Sequence, residues 1–274
     1  MRRCMAAVAT RAPATCCHGD NAGVKLALLA DLHANLQAVE ACVSDARTRG
    51  ATHFAFLGDL VGYGADPSRV VDIVMSMAQQ GAIVVRGNHD EAALAPPASP
   101  TGQGADRAAP AWTNAQLTAA QREFLAKLPL EHRIGNVLLV HASAHDPARW
   151  TYVMRAAEAA QSLDAARGRG AAIVCGGHVH EQRLFFIGAV GKLMPFDPTP
   201  GVAIPLPAHR EWLGTVGSVG QPRDGDARAM YALHDTDAER LTFVRVPYDH
   251  AAAADAIRRA GLPEQNAERL ALGR

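Results

Sequence analysis

The chain has 274 residues, of which 49% are hydrophobic, which is enough for one large core or two modest ones, and the even alternation of elements favours one domain. Its 27 basic and 27 acidic residues cancel, so the composition predicts neither a broad nucleic-acid surface nor a polybasic membrane patch. No stretch of the sequence approaches the apolar length needed to span a bilayer. We therefore expect a protein whose partners include neither nucleic acid nor membrane.

The cysteines and the first residues bear on where the protein resides. The five cysteines form no CxxC pair, which indicates neither a disulfide framework nor a zinc ribbon. Cys42 and Cys175 fall in apolar patterns and are expected to be buried thiols, in keeping with a cytoplasmic location. Residues 1–22 contain three arginines and no acid before Asp20, and we interpret them as a disordered extension.

The first part of the chain alternates between strands and helices. Apolar runs predict strands at 25–30, 53–57 and 82–85, and helical periodicity predicts helices at 35–49 and from Pro67 to Gly81. This repeated βαβ order implies parallel strands with right-handed crossovers.

The pattern changes twice further along the chain. Residues 96–110 are rich in Pro, Gly and Ala, which predicts a loop. Long loops in compact domains are often lids. Helices are predicted at 117–128 and 152–166, and strands at 137–140 and 171–175. After His180, alternating runs at 183–187, 215–219, 229–234 and 241–246 predict a second, mostly antiparallel sheet.

Residues 190–210 are predicted to be an irregular insertion, and residues 251–260 a short helix. The domain is expected over 23–249, with a helical tail at 250–274.

Short clusters of Asp, Asn and His follow five of the apolar runs. The clusters are Asp31-Leu32-His33, Gly58-Asp59, Gly87-Asn88-His89-Asp90, His141 and Gly177-His178-Val179-His180. Ligands of open α/β sheets bind outside the carboxyl ends of strands, so we expect the clusters to meet there. In extended backbone, a period of two would place Asp31 and His33 on one side, and likewise His178 and His180.

These side chains suit a pair of divalent cations. A carboxylate can bridge two cations, so Asp59 is the expected bridge, while the mixed ligands suit Mn, Fe, Zn, Ni or Co. Two ions about 3.5–4 Å apart can hold a bridging hydroxide and clamp an in-line displacement at phosphorus. A protonated imidazole can serve the leaving oxygen as general acid. His89 is the candidate, with Asp90 beside it to hold and charge it.

As an ordered set, the motifs resemble the calcineurin-like metallophosphoesterase superfamily, whose pattern is D-x-H, GD, GNH(D/E), H and G-H-x-H. The resemblance covers about residues 24–246 and implies an α/β fold, a four-layer α-β-β-α sandwich with two mixed sheets flanked by helices. It also implies two sets of metal ligands. One metal would take Asp31, His33, Asp59 and His180, and the other Asp59, Asn88, His141 and His178.

The likeness extends to a bacterial phosphoesterase group with GDxVGYG at 58–64, a Trp-Thr pair at 112–113 and GSVGQPRDG at 217–225. Gly62-Tyr63-Gly64 stands where serine/threonine protein phosphatases carry a phosphate-gripping arginine, which disfavours that role. Candidate substrate contacts are Asn35, Tyr63 and Arg223. Alternatively, Asn35 caps the first helix and Arg223 is a surface cation. Asp90 could likewise cap the helix that follows it instead of supporting His89.

We therefore expect an enzyme, a metallophosphoesterase that acts on a small phosphate ester, a phosphodiester in preference to a monoester. A phosphomonoesterase and a dinucleoside polyphosphate hydrolase stay open as alternatives. A non-catalytic metal-binding scaffold for a protein partner is the alternative from another class. Such a scaffold is expected to lose ligands, and this sequence retains all of them. The sequence indicates no oligomeric state.

Overall fold

A computed structural model describes residues 24–95, 105–188 and 191–274, with the backbone alone over 105–108. The predicted N-terminal extension at 1–22 lies outside the described residues, as does most of the predicted loop at 96–110. The strands are β1 (Lys25–Leu29), β2 (His53–Leu57), β3 (Ile83–Val85), β4 (Glu131–Ile134), β5 (Val137–Val140), β6 (Ile173–Gly176), β7 (Gln182–Ile187), β8 (Leu193–Phe196), β9 (Ala203–Pro205), β10 (Trp212–Val216), β11 (Ala229–Asp235) and β12 (Arg240–Val246). The helices are α1 (Leu36–Thr48), α2 (Pro67–Gln79), α3 (Asn88–Leu94), α4 (Ala105–Gln116), α5 (Ala119–Lys127), α6 (Ala156–Arg167), α7 (His250–Arg259) and α8 (Glu264–Leu272).

The strands form two six-stranded mixed sheets. The first has the order β3-β2-β1-β11-β12-β9, and the second has the order β4-β5-β6-β10-β7-β8. The predicted parallel pairing of the first three strands is confirmed, since β1 pairs in parallel with β2 and β2 with β3. In the second sheet, β5 and β6 are also parallel.

Side-chain alternation along the strands explains the layers. On β1, Leu26 and Leu28 face the core between the sheets, whereas Ala27 and Leu29 face the core under α1 and α2. On the other side, Val174 of β6 packs with Leu163 of α6 in a third apolar cluster. The result is the predicted four-layer sandwich, in which two sheets pack face to face and helices cover their outer faces.

Several predictions about the second half are wrong. The strands after His180 form no separate sheet, because β7, β8 and β10 join the second sheet while β9, β11 and β12 join the first. The predicted irregular insertion at 190–210 contains β8 and β9. The strand predicted at 215–219 runs instead over Trp212–Val216, where it pairs in parallel with β6. Alternation identifies which strand positions are buried but does not tell which sheet they enter.

Some helix boundaries also differ from the predictions. Residues 105–110 belong to α4 rather than to a loop, with Pro110 inside the helix. A hydrogen bond joins α4 to α3, since the Asn114 side chain donates to the Ala93 carbonyl at 2.6 Å. Helix α6 begins at Ala156 rather than at 152, and the Glu158 carboxylate caps it by accepting from the Arg155 N–H at 3.0 Å. Strand β4 is a further element that the sequence pattern did not reveal.

The C-terminal helices pack against the loop that follows β2. Ile257 of α7 and Ala267 and Leu270 of α8 share an apolar cluster with Ala65. Asn266 of α8 donates a hydrogen bond to the Tyr63 carbonyl at 3.1 Å, which fixes α8 beside the end of β2. Within the described ranges, no helix combines the length and the apolar character that crossing a bilayer requires. Cys42 and Cys175 are buried free thiols, as predicted.

Candidate metal centre

The polar clusters meet at one edge of the sandwich. Asp31, Asp59 and Asn88 follow the parallel strands β1, β2 and β3, while His141 follows β5 and the pair His178 and His180 follows β6. Backbone hydrogen bonds join the loops, since the Asp31 N–H donates to the Gly58 carbonyl at 3.0 Å and the His33 N–H to the Asp59 carbonyl at 2.9 Å. The predicted convergence at the strand ends is therefore present.

The backbone of these loops is left-handed rather than extended. Positive φ angles occur at Asp31 (54°), His33 (47°), Asp59 (52°), His178 (68°) and His180 (59°). The premise of extended backbone is therefore wrong, although Asp31 and His33 still share one group of candidate ligands, with His33 Nε2 3.8 Å from Asp31 Oδ1. His178 and His180 in fact point toward different groups of ligands. Non-glycine residues in this conformation cost about 1–3 kcal/mol each, a strain typical of functional sites.

The two buried aspartates each bind a backbone N–H with one oxygen and turn the other oxygen toward the histidines. Asp31 Oδ2 accepts from the His178 N–H at 2.8 Å, and Asp59 Oδ1 accepts from the His89 N–H at 2.7 Å. Asp59 Oδ2 lies 3.3 Å from His141 Nε2 and 3.9 Å from His33 Nε2. One carboxylate oxygen thus faces both sides of the site, as a bridging ligand requires.

Backbone carbonyls determine which nitrogen of each imidazole carries the proton. In four histidines one ring nitrogen lies against a carbonyl oxygen and must donate to it, which leaves the lone pair of the other nitrogen facing the cluster. The pairs are His33 Nδ1 with Val61 O (3.1 Å), His141 Nδ1 with Leu57 O (2.8 Å), His180 Nδ1 with Gln221 O (2.6 Å) and His178 Nε2 with Trp150 O (2.9 Å).

These lone pairs form two sets. His33 Nε2 and His180 Nε2 are 3.0 Å apart, and His141 Nε2 and His178 Nδ1 are 3.1 Å apart. Two nitrogens that bind one cation at about 2.1 Å and at a right angle would be ~3.0 Å apart, so both spacings suit a shared cation. In the His33–His180 pair, lone pairs this close would otherwise repel each other.

The first set includes Asp31, whose Oδ1 is buried and lacks a hydrogen-bond donor within the described part of the chain. His180 Nε2 lies 3.2 Å from this oxygen but has no hydrogen to donate when Nδ1 donates to Gln221. The second set includes Asn88, whose Oδ1 lies 3.0 Å from His141 Nε2. With Asp59 between them, the two sets match the ligand groups that the family resemblance implies.

Electrostatics favour cation binding. Burial raises the pKa of both aspartates, but His180 reverses this at Asp31 and brings its pKa to about 2, and His141 holds the pKa of Asp59 well below its usual range. Burial lowers the pKa of His33 and, together with His141, that of His178 to about 4. The carboxylates are thus ionised and these imidazoles neutral, which are the protonation states that bind metal.

His141 differs from the other candidate ligands. Burial lowers its pKa, but the Asp59 carboxylate at 3.3 Å reverses this and raises it to about 9. In the protein alone, a proton on His141 therefore balances the charge of Asp59. A divalent cation would replace that proton, since metal binding and proton binding compete for the same nitrogen.

The structure places His89 next to Asp59, whose Oδ1 accepts from the His89 N–H. Its ring centroid is 5.0 Å from that of His33 and 4.6 Å from that of Tyr63. Burial lowers the pKa of His89. Gly87 permits this arrangement, because a Cβ atom at Gly87 would lie within 2.2 Å of both the Asp59 Oδ1 and N atoms. The glycine of the GNH motif is thus required for close packing against Asp59.

Asp90 does not hold the His89 ring, contrary to the prediction. Its buried carboxylate accepts hydrogen bonds from the backbone N–H groups of Leu60 (2.8 Å), Val61 (3.3 Å) and Gly87 (2.9 Å). These bonds tie the loop after β2 to the start of α3. Asp90 therefore positions the loops that carry Asp59 and His89.

The three candidate substrate contacts have different surroundings. Asn35 caps α1 by accepting from the Ala38 N–H, and its amide donates to Gly220 O at 2.9 Å, so the structure favours the capping role. Tyr63 packs edge-on against His33, with ring centroids 4.7 Å apart. The Arg223 guanidinium lies 5.7 Å from the Tyr63 ring centroid.

One neighbour of the site was missed from the sequence. Tyr152 stacks on His178, with ring centroids 3.9 Å apart, and remains 51% exposed. The pattern assigned Tyr152 to a predicted helix, so nothing in the sequence signalled that it adjoins the metal groups.

Two sheets between helix layers, with groups of Asp and His where their strands end, define the metallophosphoesterase class of folds. The chain belongs to the calcineurin-like phosphoesterase superfamily, whose domain it matches over residues 24–239. A metallophosphoesterase of Sphaerobacter thermophilus is 35% identical, with a TM-score of 0.81, over 92% of this chain and 100% of that chain.

Two further proteins are similar to this chain. An uncharacterised protein of Methanocaldococcus jannaschii is 32% identical over 253 residues, which are 91% of this chain and 98% of that protein. A hypothetical protein of Pyrococcus horikoshii shares the fold at 20% identity, with a TM-score of 0.70, over 90% of this chain and 97% of its own.

Proposed function

We propose that this protein binds two divalent cations at the two sets of ligands and hydrolyses phosphodiesters. The observation that carries the proposal is the position of Asp59 Oδ2, which faces His141 of one set at 3.3 Å and His33 of the other at 3.9 Å. A shared carboxylate oxygen is the ligand that holds two cations close together. Candidate metals are Mn, Fe, Zn, Ni and Co, which the mixed oxygen and nitrogen donors suit.

Each group of residues has a distinct part in the reaction. When bound, the cations supply an activated water nucleophile and stabilise negative charge on the phosphate oxygens. Asp31, Asp59 and their histidine partners hold the cations in place. His89, beside Asp59, donates a proton to the leaving oxygen as general acid, a role worth about 10²–10⁴-fold in rate.

The surroundings support a diester over a monoester. Tyr152 stacks on His178 of the second set, and Tyr63 packs against His33 of the first, so an aromatic side chain adjoins each set. A diester presents an organic group on either side of phosphorus, and both groups would find an apolar surface. A monoester would use only one of them.

The test uses chelated and then Mn²⁺-loaded protein with bis(4-nitrophenyl) phosphate and 4-nitrophenyl phosphate. We expect Mn²⁺-dependent hydrolysis with a higher kcat/KM for the diester. Asp59→Asn, which removes the bridging charge at nearly constant shape, should lower kcat by roughly 10²-fold or more. Asp164→Asn, an exposed control on α6, should leave kcat unchanged. Full activity in chelator, or in Asp59→Asn, would contradict the mechanism, and a preference for the monoester would contradict the substrate class.

A further inference from the structure

A cavity of about 430 Å³ opens beside His89. Its walls come from the loop after β2, from α3 and α4, and from the C-terminal helix α8. The lining residues that matter here are Gly62, Tyr63, His89, Thr113, Asn266 and Arg269. His89 lines this cavity and its backbone N–H donates to Asp59 Oδ1 at 2.7 Å, so the cavity adjoins the proposed general acid.

Helix α8 is held firmly at this wall. The buried Asn266 donates to the Tyr63 carbonyl at 3.1 Å. Four residues further along, Leu270 is buried in the cluster that includes Ala65. The Gly225 N–H donates to the Gly273 carbonyl at 2.8 Å, which ties the end of α8 to the 217–225 loop. Arg269 is therefore carried on a backbone that is anchored to two loops of the metal centre.

Arg269 supplies positive charge to a cavity that has no carboxylate among its described lining residues. In the described part of the chain, Arg269 also forms no ion pair, whereas Arg258 on α7 pairs with Glu264 at 2.7 Å and Asp255 at 3.2 Å. A guanidinium beside an uncharged cavity wall is suited to bind a carboxylate or phosphate group.

We propose that this cavity receives the leaving alcohol of the substrate and that Arg269 selects alcohols carrying an anionic group. The inference rests on the proposed hydrolysis. In that reaction water oxygen bonds to phosphorus, the P–O bond to the alcohol breaks, and His89 supplies the proton that the alcohol retains. One proton of the water passes to solvent, and His89 is protonated again from solvent. The part of the alcohol beyond its oxygen then lies on the cavity side of His89, within reach of α8.

The test compares methyl 4-carboxyphenyl phosphate with methyl 4-carbamoylphenyl phosphate, which differ in charge but little in shape. Both are assayed as kcat/KM with Mn²⁺-loaded wild type, Arg269→Gln and Arg259→Gln, the last being an exposed control on α7. We expect Arg269→Gln to lower kcat/KM about 10-fold to 100-fold for the carboxylate substrate and less than about 3-fold for the amide. Comparing the two substrates in each protein cancels their intrinsic difference in reactivity.

Further variants and substrates sharpen the result. Arg269→Lys should retain part of the preference, because it keeps the charge. Methyl 4-phosphonophenyl phosphate distinguishes a site for phosphate from a site for carboxylate. If the site prefers phosphate, Arg269→Gln should lower kcat/KM more for this substrate than for the carboxylate substrate. Equal losses on both substrates would show a structural role, and no loss would show that Arg269 is idle, so either result overturns the inference. If wild type hydrolyses no diester at all, the proposed function itself fails.

Discussion

The contact between Gly62 and His89 allows a sharp test of general-acid catalysis. Gly62 has φ +93°, and a Cβ atom at this position would lie 2.7 Å from His89 Nδ1 and 3.0 Å from Cγ. In Gly62→Ala the ring must therefore move by roughly 0.7 Å to restore an ordinary contact of 3.4 Å. The three atoms nearest to the new methyl group all belong to His89, so we expect the variant to displace the acid and to leave the cation sites in place.

The size of the effect follows from this displacement. A misplacement of about 1 Å in a catalytic group can cost about 10²-fold, so a shift of ~0.7 Å should lower kcat by roughly 10-fold to 100-fold. The loss should be largest for methyl phenyl phosphate, whose leaving phenolate needs a proton, and small for bis(4-nitrophenyl) phosphate, whose leaving group is stable without one. Alanine at positive φ also costs about 1–2 kcal/mol in stability.

The matched control is Gly81→Ala. Gly81 has φ +99°, and a Cβ atom there meets nothing within 4 Å, so the control carries the same backbone strain without the contact. Steady-state rates are measured on both substrates, and bound Mn²⁺ is measured in parallel. Together they distinguish an effect on the general acid from an effect on metal binding. If Gly62→Ala hydrolyses the phenyl ester as fast as Gly81→Ala does, His89 is not the general acid or tolerates the displacement.

The structure supports three more predictions. His178→Ala and His180→Ala should each bind about one Mn²⁺ instead of two, because they belong to different sets; elemental analysis that finds two ions in both variants would contradict this division. Asn266→Ala should lower the free energy of unfolding by about 1–2 kcal/mol, since it leaves the Tyr63 carbonyl without its donor, and an unchanged Tm would show that α8 is held without this bond. Leu28→Ala should cost about 2–5 kcal/mol in urea denaturation while kcat stays the same, because Leu28 is fully buried in the apolar cluster between the sheets; a loss of kcat would show that the inter-sheet core shapes the site.

The sequence alone located the candidate metal ligands at the strand ends of the fold. Apolar runs identify β1, β2 and β5 because a buried strand needs apolar side chains, and the polar residues directly after such runs must lie at the strand ends. Parallel order then brings Asp31 and Asp59 to the same edge. The ordered motifs also indicated the family, which the match over residues 24–239 confirms.

Other features depended on the tertiary structure. The late strands β10 and β11 are both largely buried yet enter opposite sheets, so burial alone does not assign a strand to a sheet. The left-handed backbone at His178 and His180 reverses the expected alignment, and it persists only because the surrounding loops hold it. The carbonyl that orients His180 comes from Gln221, 41 residues away in the chain.

What the sequence determined was the set of chemical groups and the strand ends that carry them, because hydrophobic burial acts through local side-chain pattern. What the tertiary structure decided was how those groups are oriented and what surrounds them. Arg269 reaches the cavity beside His89 only because α8 packs against Tyr63 and Ala65. Contacts between segments so far apart in the chain depend on packing of the whole fold, and local pattern carries no record of them.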